Sequence, residues 1–92
     1  MKSIGTPEHD AFRMLLKELR IGQDLTQAQV AESLGHPQSY VSKYETGERR
    51  LDFVETATVC SVLGLELTTF AKLFLKRSHI QQRSAHGGKN AR

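Results

Sequence analysis

An all-α fold is what this 92-residue chain predicts, and three observations carry it. Large apolar residues recur at helical spacing in five separate stretches. Glycines and hydroxyl residues punctuate those stretches, and no β-type alternation runs for a useful length. The length allows one compact domain with little spare chain.

Thr6 caps the first helix, whose first turn holds Pro7, Glu8 and Asp10. A missing N–H costs nothing there, and negative charge meets the positive end of the helix dipole. Phe12, Leu15, Leu16 and Leu19 then repeat with helical period to about Gly22. A second helix spans Thr26 to Leu34, with Thr26 as N-cap, Val30, Ala31 and Leu34 turned inward, and Gly35 just past its end. The third runs from Pro37 to Thr46, with Tyr40, Val41 and Tyr44 at one-turn spacing. Phe53, Thr56, Ala57, Cys60 and Leu63 define a fourth, stopped by Gly64. A fifth, from Leu67 to Arg77, is built around Phe70, Leu73 and Phe74. The domain boundaries follow as an N-terminal arm 1–6, a folded domain 7–77 and a basic tail 78–92. That tail has one large apolar residue, Ile80, too little to offset its ordering entropy, so disorder is expected.

Composition narrows the function. Apolar residues make up 38% and charged residues 25%, ordinary for a soluble globular protein. No apolar run approaches the roughly 20 residues that span a bilayer, and the N-terminus has no apolar signal region, so a cytoplasmic protein is expected. Cys60 is alone, reads as a small core residue, and excludes an internal disulfide. No Cys/His spacing suits a metal, and no cofactor is implied. Nor is there a nucleophile–base set, a carboxylate pair or a phosphate-binding glycine loop, so the chain does not read as an enzyme. The net charge of +3 is not evidence about the folded part. Residues 1–77 hold ten Lys/Arg and ten Asp/Glu, and the excess lies at Arg83, Lys89 and Arg92. Any nucleic-acid argument therefore rests on local placement.

That placement is found in "LTQAQVAESLGHPQSYVSKYETG", residues 25–47. A two-turn helix stops at Gly35, which accepts a left-handed backbone without a Cβ penalty, and Pro37 suits the first turn of the next helix. Two helices joined so tightly cross steeply, in a helix-turn-helix. Ala31 permits close approach, and Leu34, Val41 and Tyr44 fill the wedge. At about 100° per residue, Tyr40, Val41 and Tyr44 share one side of the second of these helices. Ser39, Ser42 and Thr46 stand opposite, flanked by Gln38 and Lys43. An amide, three hydroxyls and one amine can read the donor and acceptor pattern of base edges.

This block resembles the lambda-repressor/Cro class of helix-turn-helix proteins, the xenobiotic response element (XRE) family. The similarity spans roughly residues 10 to 75 and includes "LTQAQVA", the glycine turn, "QSYVSKYETG" and "VLGLEL". The resemblance implies a five-helix lambda-repressor-like domain that binds double-stranded DNA as a homodimer and regulates transcription, as a repressor on a two-half-site operator. It implies that Gln38, Ser39, Ser42, Lys43 and Thr46 face bases. Gln27 would bond a phosphate and brace Gln38, and Arg20 and Glu45 would form a salt bridge between the first and third helices. Residues 47–50 would follow the DNA backbone, giving Arg49 and Arg50 as phosphate ligands. Two positions depart from the family pattern. Tyr40 stands where a small hydroxyl residue is usual, and is a further candidate for the DNA backbone or the core edge. Leu51 stands where a proline commonly precedes the fourth helix.

The fifth helix carries more apolar surface than a short terminal helix buries. Phe70 and Leu73 are expected to finish the core, leaving Phe74 and Leu75 exposed as dimer candidates. The alternative is an antitoxin-like interaction module. Its fifth helix and tail would hold a toxin-like protein partner, with DNA binding serving autoregulation.

Overall fold

The computed structural model describes residues 5–78, which form five helices and, among the described residues, no strand. Helix α1 is Pro7–Gly22, α2 Gln27–Leu34, α3 Gln38–Thr46, α4 Phe53–Val62 and α5 Leu67–Ser78. Local chemistry sets their starts. The Thr6 hydroxyl accepts the His9 N–H at 3.1 Å, with Pro7 in the first turn of α1. Thr26 and Gln29 form a reciprocal capping box on α2. Asp52 and Glu55 do the same on α4. Pro37 sits one place earlier than expected, as the extended N-cap of α3 without a side-chain cap bond.

The ends follow glycine where the backbone turns left-handed. Gly35 has φ 75° and Gly47 has φ 90°. The corner between α1 and α2 instead uses Asp24 at φ 57°, a conformation aspartate tolerates. At that corner the Gln23 side-chain amide donates to the Leu63 carbonyl, tying it to the end of α4.

The core gathers Leu15 and Leu16 of α1, Val30 and Ala31 of α2, Val41 and Tyr44 of α3, Val59 and Cys60 of α4, then Leu63 and Phe70. Around it α2 packs on α3 and α4, and α1 on α3 and α5. Burial pushes the Cys60 thiol up to about 11. Four apolar expectations are corrected. Phe53, assigned to the buried stripe of α4, is 74% exposed, and Val54 beside it is 71% exposed. Leu73, expected in the core, is 36% exposed. Phe74, expected on the surface, is half-buried with its ring edge-on to Phe12 at 6.3 Å. Leu75 is also half-buried.

Helix α5 reaches Ser78, which is buried, so the helix takes the first residue assigned to the tail. The remaining tail, 79–92, and residues 1–4 of the arm lie outside the described residues. Among the described residues no single helix is long and apolar enough to cross a membrane.

Candidate nucleic-acid interface

Helix α3 divides into two sides. Tyr40, Val41, Tyr44 and Glu45 are buried, while Gln38, Ser39, Lys43 and Thr46 are exposed and Ser42 is half-buried. The five residues expected to face bases therefore share one accessible side, with Thr46 Oγ1 turned back to the Lys43 carbonyl at 3.2 Å.

A carboxylate on the inner side needs a strong partner, because burial of an unpaired charge costs several kcal/mol. Arg20 supplies it. Its Nε donates to Glu45 Oε2 at 2.7 Å and its Nη2 to Oε1 at 3.0 Å, with the two side chains 11% and 2% exposed. The two-pronged geometry adds direction to charge, and this bond holds the Arg20 guanidinium more firmly protonated than usual. Arg20 Nη1 also donates to the Leu25 carbonyl at 2.8 Å, bracing the turn before α2. Arg13, which the sequence reading did not single out, donates to the Glu45 backbone carbonyl at 2.7 Å and pairs with Asp10 at 3.1 Å. Two arginines of α1 thus hold the last turn of α3, where cations complement the helix dipole.

The ion pair extends outward. Gln27 Nε2 donates to Glu45 Oε1 at 2.9 Å, and Gln27 Oε1 accepts from Gln38 Nε2 at 3.3 Å. A chain of hydrogen bonds runs from buried Arg20 through Glu45 and Gln27 to exposed Gln38. The expected brace of Gln38 by Gln27 and the expected Arg20–Glu45 bridge are both formed in this way.

Beyond α3, Gly47 turns the chain, and the Glu48 and Arg49 N–H groups donate to the Lys43 carbonyl at 2.9 and 3.1 Å. Arg49 is engaged rather than free. Its Nη2 donates to Glu55 Oε2 at 3.0 Å, its Nη1 to the Arg50 carbonyl at 3.0 Å, and its guanidinium carbon lies 4.6 Å from the Tyr40 ring centroid. The pairing pulls the Glu55 carboxyl below its ordinary range, the Arg49 bond first and the Asp52 N–H second. Tyr40 is buried, and the exposed His36 stacks on it at 3.9 Å between centroids and 5° between planes. Arg50 is exposed, and among the described residues it has no ion pair. No group of His, Cys, Asp or Glu among the described residues could hold a metal ion.

A family profile described as "Helix-turn-helix" matches residues 16–70. Among solved structures, an XRE-family like protein from Pseudomonas syringae pv. tomato str. DC3000 is 36% identical. That match covers 75% of this chain and 84% of that one, with a TM-score of 0.71. The clp gene regulator ClgR from C. glutamicum is 21% identical over 84% of this chain and 99% of its own, with a TM-score of 0.71. The restriction-modification controller protein C.Esp1396I, as a tetramer in complex with its natural 35 base-pair operator, is 17% identical. It covers 83% of this chain and 100% of its own, with a TM-score of 0.75. The latter two likenesses speak for the fold alone. Among curated proteins no sequence matches this chain. The profile, the identity to the Pseudomonas protein and the five-helix architecture together place the chain in the helix-turn-helix family, as a lambda-repressor-like protein of XRE type.

Proposed function

We propose that this protein binds double-stranded DNA in a sequence-specific way and regulates transcription, as a homodimeric repressor on an operator of two half-sites. The observation that carries the reading is the outer side of α3, where Gln38, Ser39, Ser42, Lys43 and Thr46 sit together on a helix braced from beneath. A helix coated in lysines would follow phosphate charge with little discrimination. Amide and hydroxyl groups instead match the donor and acceptor pattern of the major groove. In this arrangement α3 lies in the groove and α2 crosses the backbone, its N-terminal N–H groups and dipole directed at a phosphate. Gln27 keeps one amide N–H for that phosphate once Glu45 and Gln38 are served. Arg50 is the loop cation available to a second phosphate.

A dimer sets two such helices about one DNA turn apart, on the order of 34 Å. The surface best suited to the second copy is the exposed Phe53 and Val54 beside an apolar groove of about 400 Å³ lined by Phe12, Leu51, Phe70 and Phe74. Phe53 takes over from Phe74 and Leu75 as the leading dimer candidate, since those two are half-buried already.

Selection of binding sites from random duplexes, followed by Gln38→Ala, tests the reading. The expected loss is about 1–3 kcal/mol, with relaxed preference at one base position. Equal weakening on every duplex would remove Gln38 from base reading. Recovery of no preferred duplex would remove the function.

A further inference from the structure

We propose that Tyr40 is the middle layer of a His36–Tyr40–Arg49 stack that sets the angle of the base-reading end of α3, with Arg49 and Glu55 as positioning residues and not phosphate ligands. The proposal rests on the DNA reading above and assigns the part played by a side chain that reading leaves without a role.

The His36 ring lies parallel to Tyr40 at contact distance and so covers one face. The Arg49 guanidinium also lies over this ring, 4.6 Å from its centroid, and in the proposed stack it takes the other face. Tyr44 meets the edge of Tyr40 at 5.8 Å and 87°. The stack crosses four elements, from the turn before α3, through α3 and the 47–52 loop, to Glu55 on α4. Each layer is fixed in turn. Glu55 accepts from both Arg49 Nη groups, at 3.0 and 3.4 Å, and from the Asp52 N–H at 2.8 Å, so the carboxylate that holds Arg49 also closes the cap of α4.

Two observations give this cluster a role in recognition. Helix α3 begins at Pro37 with no side-chain cap bond, so the end that carries Gln38 and Ser39 is not held by the usual device. Tyr40 is one residue from Ser39, and its clamped ring supplies that hold. Arg49, meanwhile, has its charge matched by Glu55 and one face covered by Tyr40. A phosphate at Arg49 would have to compete for that charge with Glu55, which holds it in a planar fork that lysine cannot reproduce.

The test uses the full chain with Tyr40→Phe, Tyr40→Ser, Arg49→Ala and Arg49→Lys, each titrated with its selected duplex and a scrambled duplex over a range of salt. Tyr40→Phe keeps the ring and should match the parent. Tyr40→Ser, Arg49→Ala and Arg49→Lys should each lower the ratio of the two affinities about tenfold, equivalent to about one weakened base contact, with the salt slope unchanged. A slope reduced by about 0.9 in Arg49→Ala and restored in Arg49→Lys identifies a phosphate ligand and overturns the proposal. The stack is read separately, without DNA, from the ring-current shift of the His36 imidazole protons. That shift should survive in Tyr40→Phe and vanish in Tyr40→Ser, and its persistence in Tyr40→Ser overturns the stack. Should Tyr40→Ser fail to fold, the two Arg49 variants decide. A parent protein that prefers no duplex overturns the DNA reading and the positioning role with it.

Discussion

Replacing Glu45 by alanine should be among the most damaging single changes available to this protein. The substitution deletes the acceptor of two Arg20 hydrogen bonds, at 2.7 and 3.0 Å, and of the Gln27 bond at 2.9 Å. Arg20 cannot retreat to water, because its side chain is 11% exposed and its Nη1 stays bound to the Leu25 carbonyl. The guanidinium is then a charge without a counter-charge in a poorly solvated site, a loss of about 3–5 kcal/mol. For a domain of this size that corresponds to a fall in melting temperature of about 12–40 °C, out of a total stability of about 5–15 kcal/mol. Thermal and urea unfolding followed by circular dichroism measure it. The companion variant, Arg20→Met with Glu45→Leu, removes both charges and should regain most of the stability, since replacing a buried pair by apolar residues of similar volume is often neutral or stabilising. It should not regain operator preference, because Gln27 has lost the anchor that orients Gln38. A loss below about 1 kcal/mol for Glu45→Ala, in the range of exposed pairs, would refute the claim that this pair is buried and uncompensated.

Three further outcomes follow. Phe53→Lys places a charge on a side chain that contacts little in the monomer, so unfolding should shift by less than about 0.5 kcal/mol while sedimentation shows loss of the dimer. A dimer that survives moves the seam elsewhere. Cys60, buried and with its thiol raised to about 11, should react with a thiol reagent at pH 8 only as fast as the protein opens. Rapid reaction in the folded state contradicts that burial. The Glu55 carboxyl is held low by Arg49, so its contribution is present above the ordinary carboxylate range and is lost as pH falls through the lowered folded value. Glu55→Gln should flatten stability in that acid window and leave it unchanged near neutrality in slope. A parent and variant with parallel acid profiles would remove the linkage.

The parts of the fold that depend on neighbours in sequence were legible from it. Thr6, Thr26 and Gly35 act within one turn of their own positions, and each appears where its chemistry places it. Phe53 was misplaced for an instructive reason. Helical period gives a direction around the axis, and Phe53 does point along the Cys60 side, but at the first residue of α4 it lies on the open rim of the groove lined by Phe12 and Phe74, which leaves it uncovered. Leu73 and Phe74 were exchanged because the rotation of α5 is fixed by Phe12 of α1, far away in sequence. The candidate site divides similarly. The outer side of α3 could be read from angles alone, whereas the pairing of Glu45 came from the resemblance, since nothing in a glutamate's own sequence context announces a partner 25 residues away. The Arg49–Glu55 pair depends on the path of the 47–52 loop, and the stacking of His36 on how the turn before α3 lays its ring on Tyr40; neither carried a signal in the pattern.

The chain of bonds from Arg20 to Gln38 also bears on how such a protein can change its target. Ser39 and Lys43 stand on the outer side of α3, and exchanging them leaves the supporting bonds intact. Gln38 is different, because altering it removes a partner from Gln27 and disturbs the support beneath. Drift or redesign of target preference should therefore begin at 39 and 43 and reach 38 last. A family of regulators built on this frame would diversify one part of each half-site freely while its other part stayed nearly fixed.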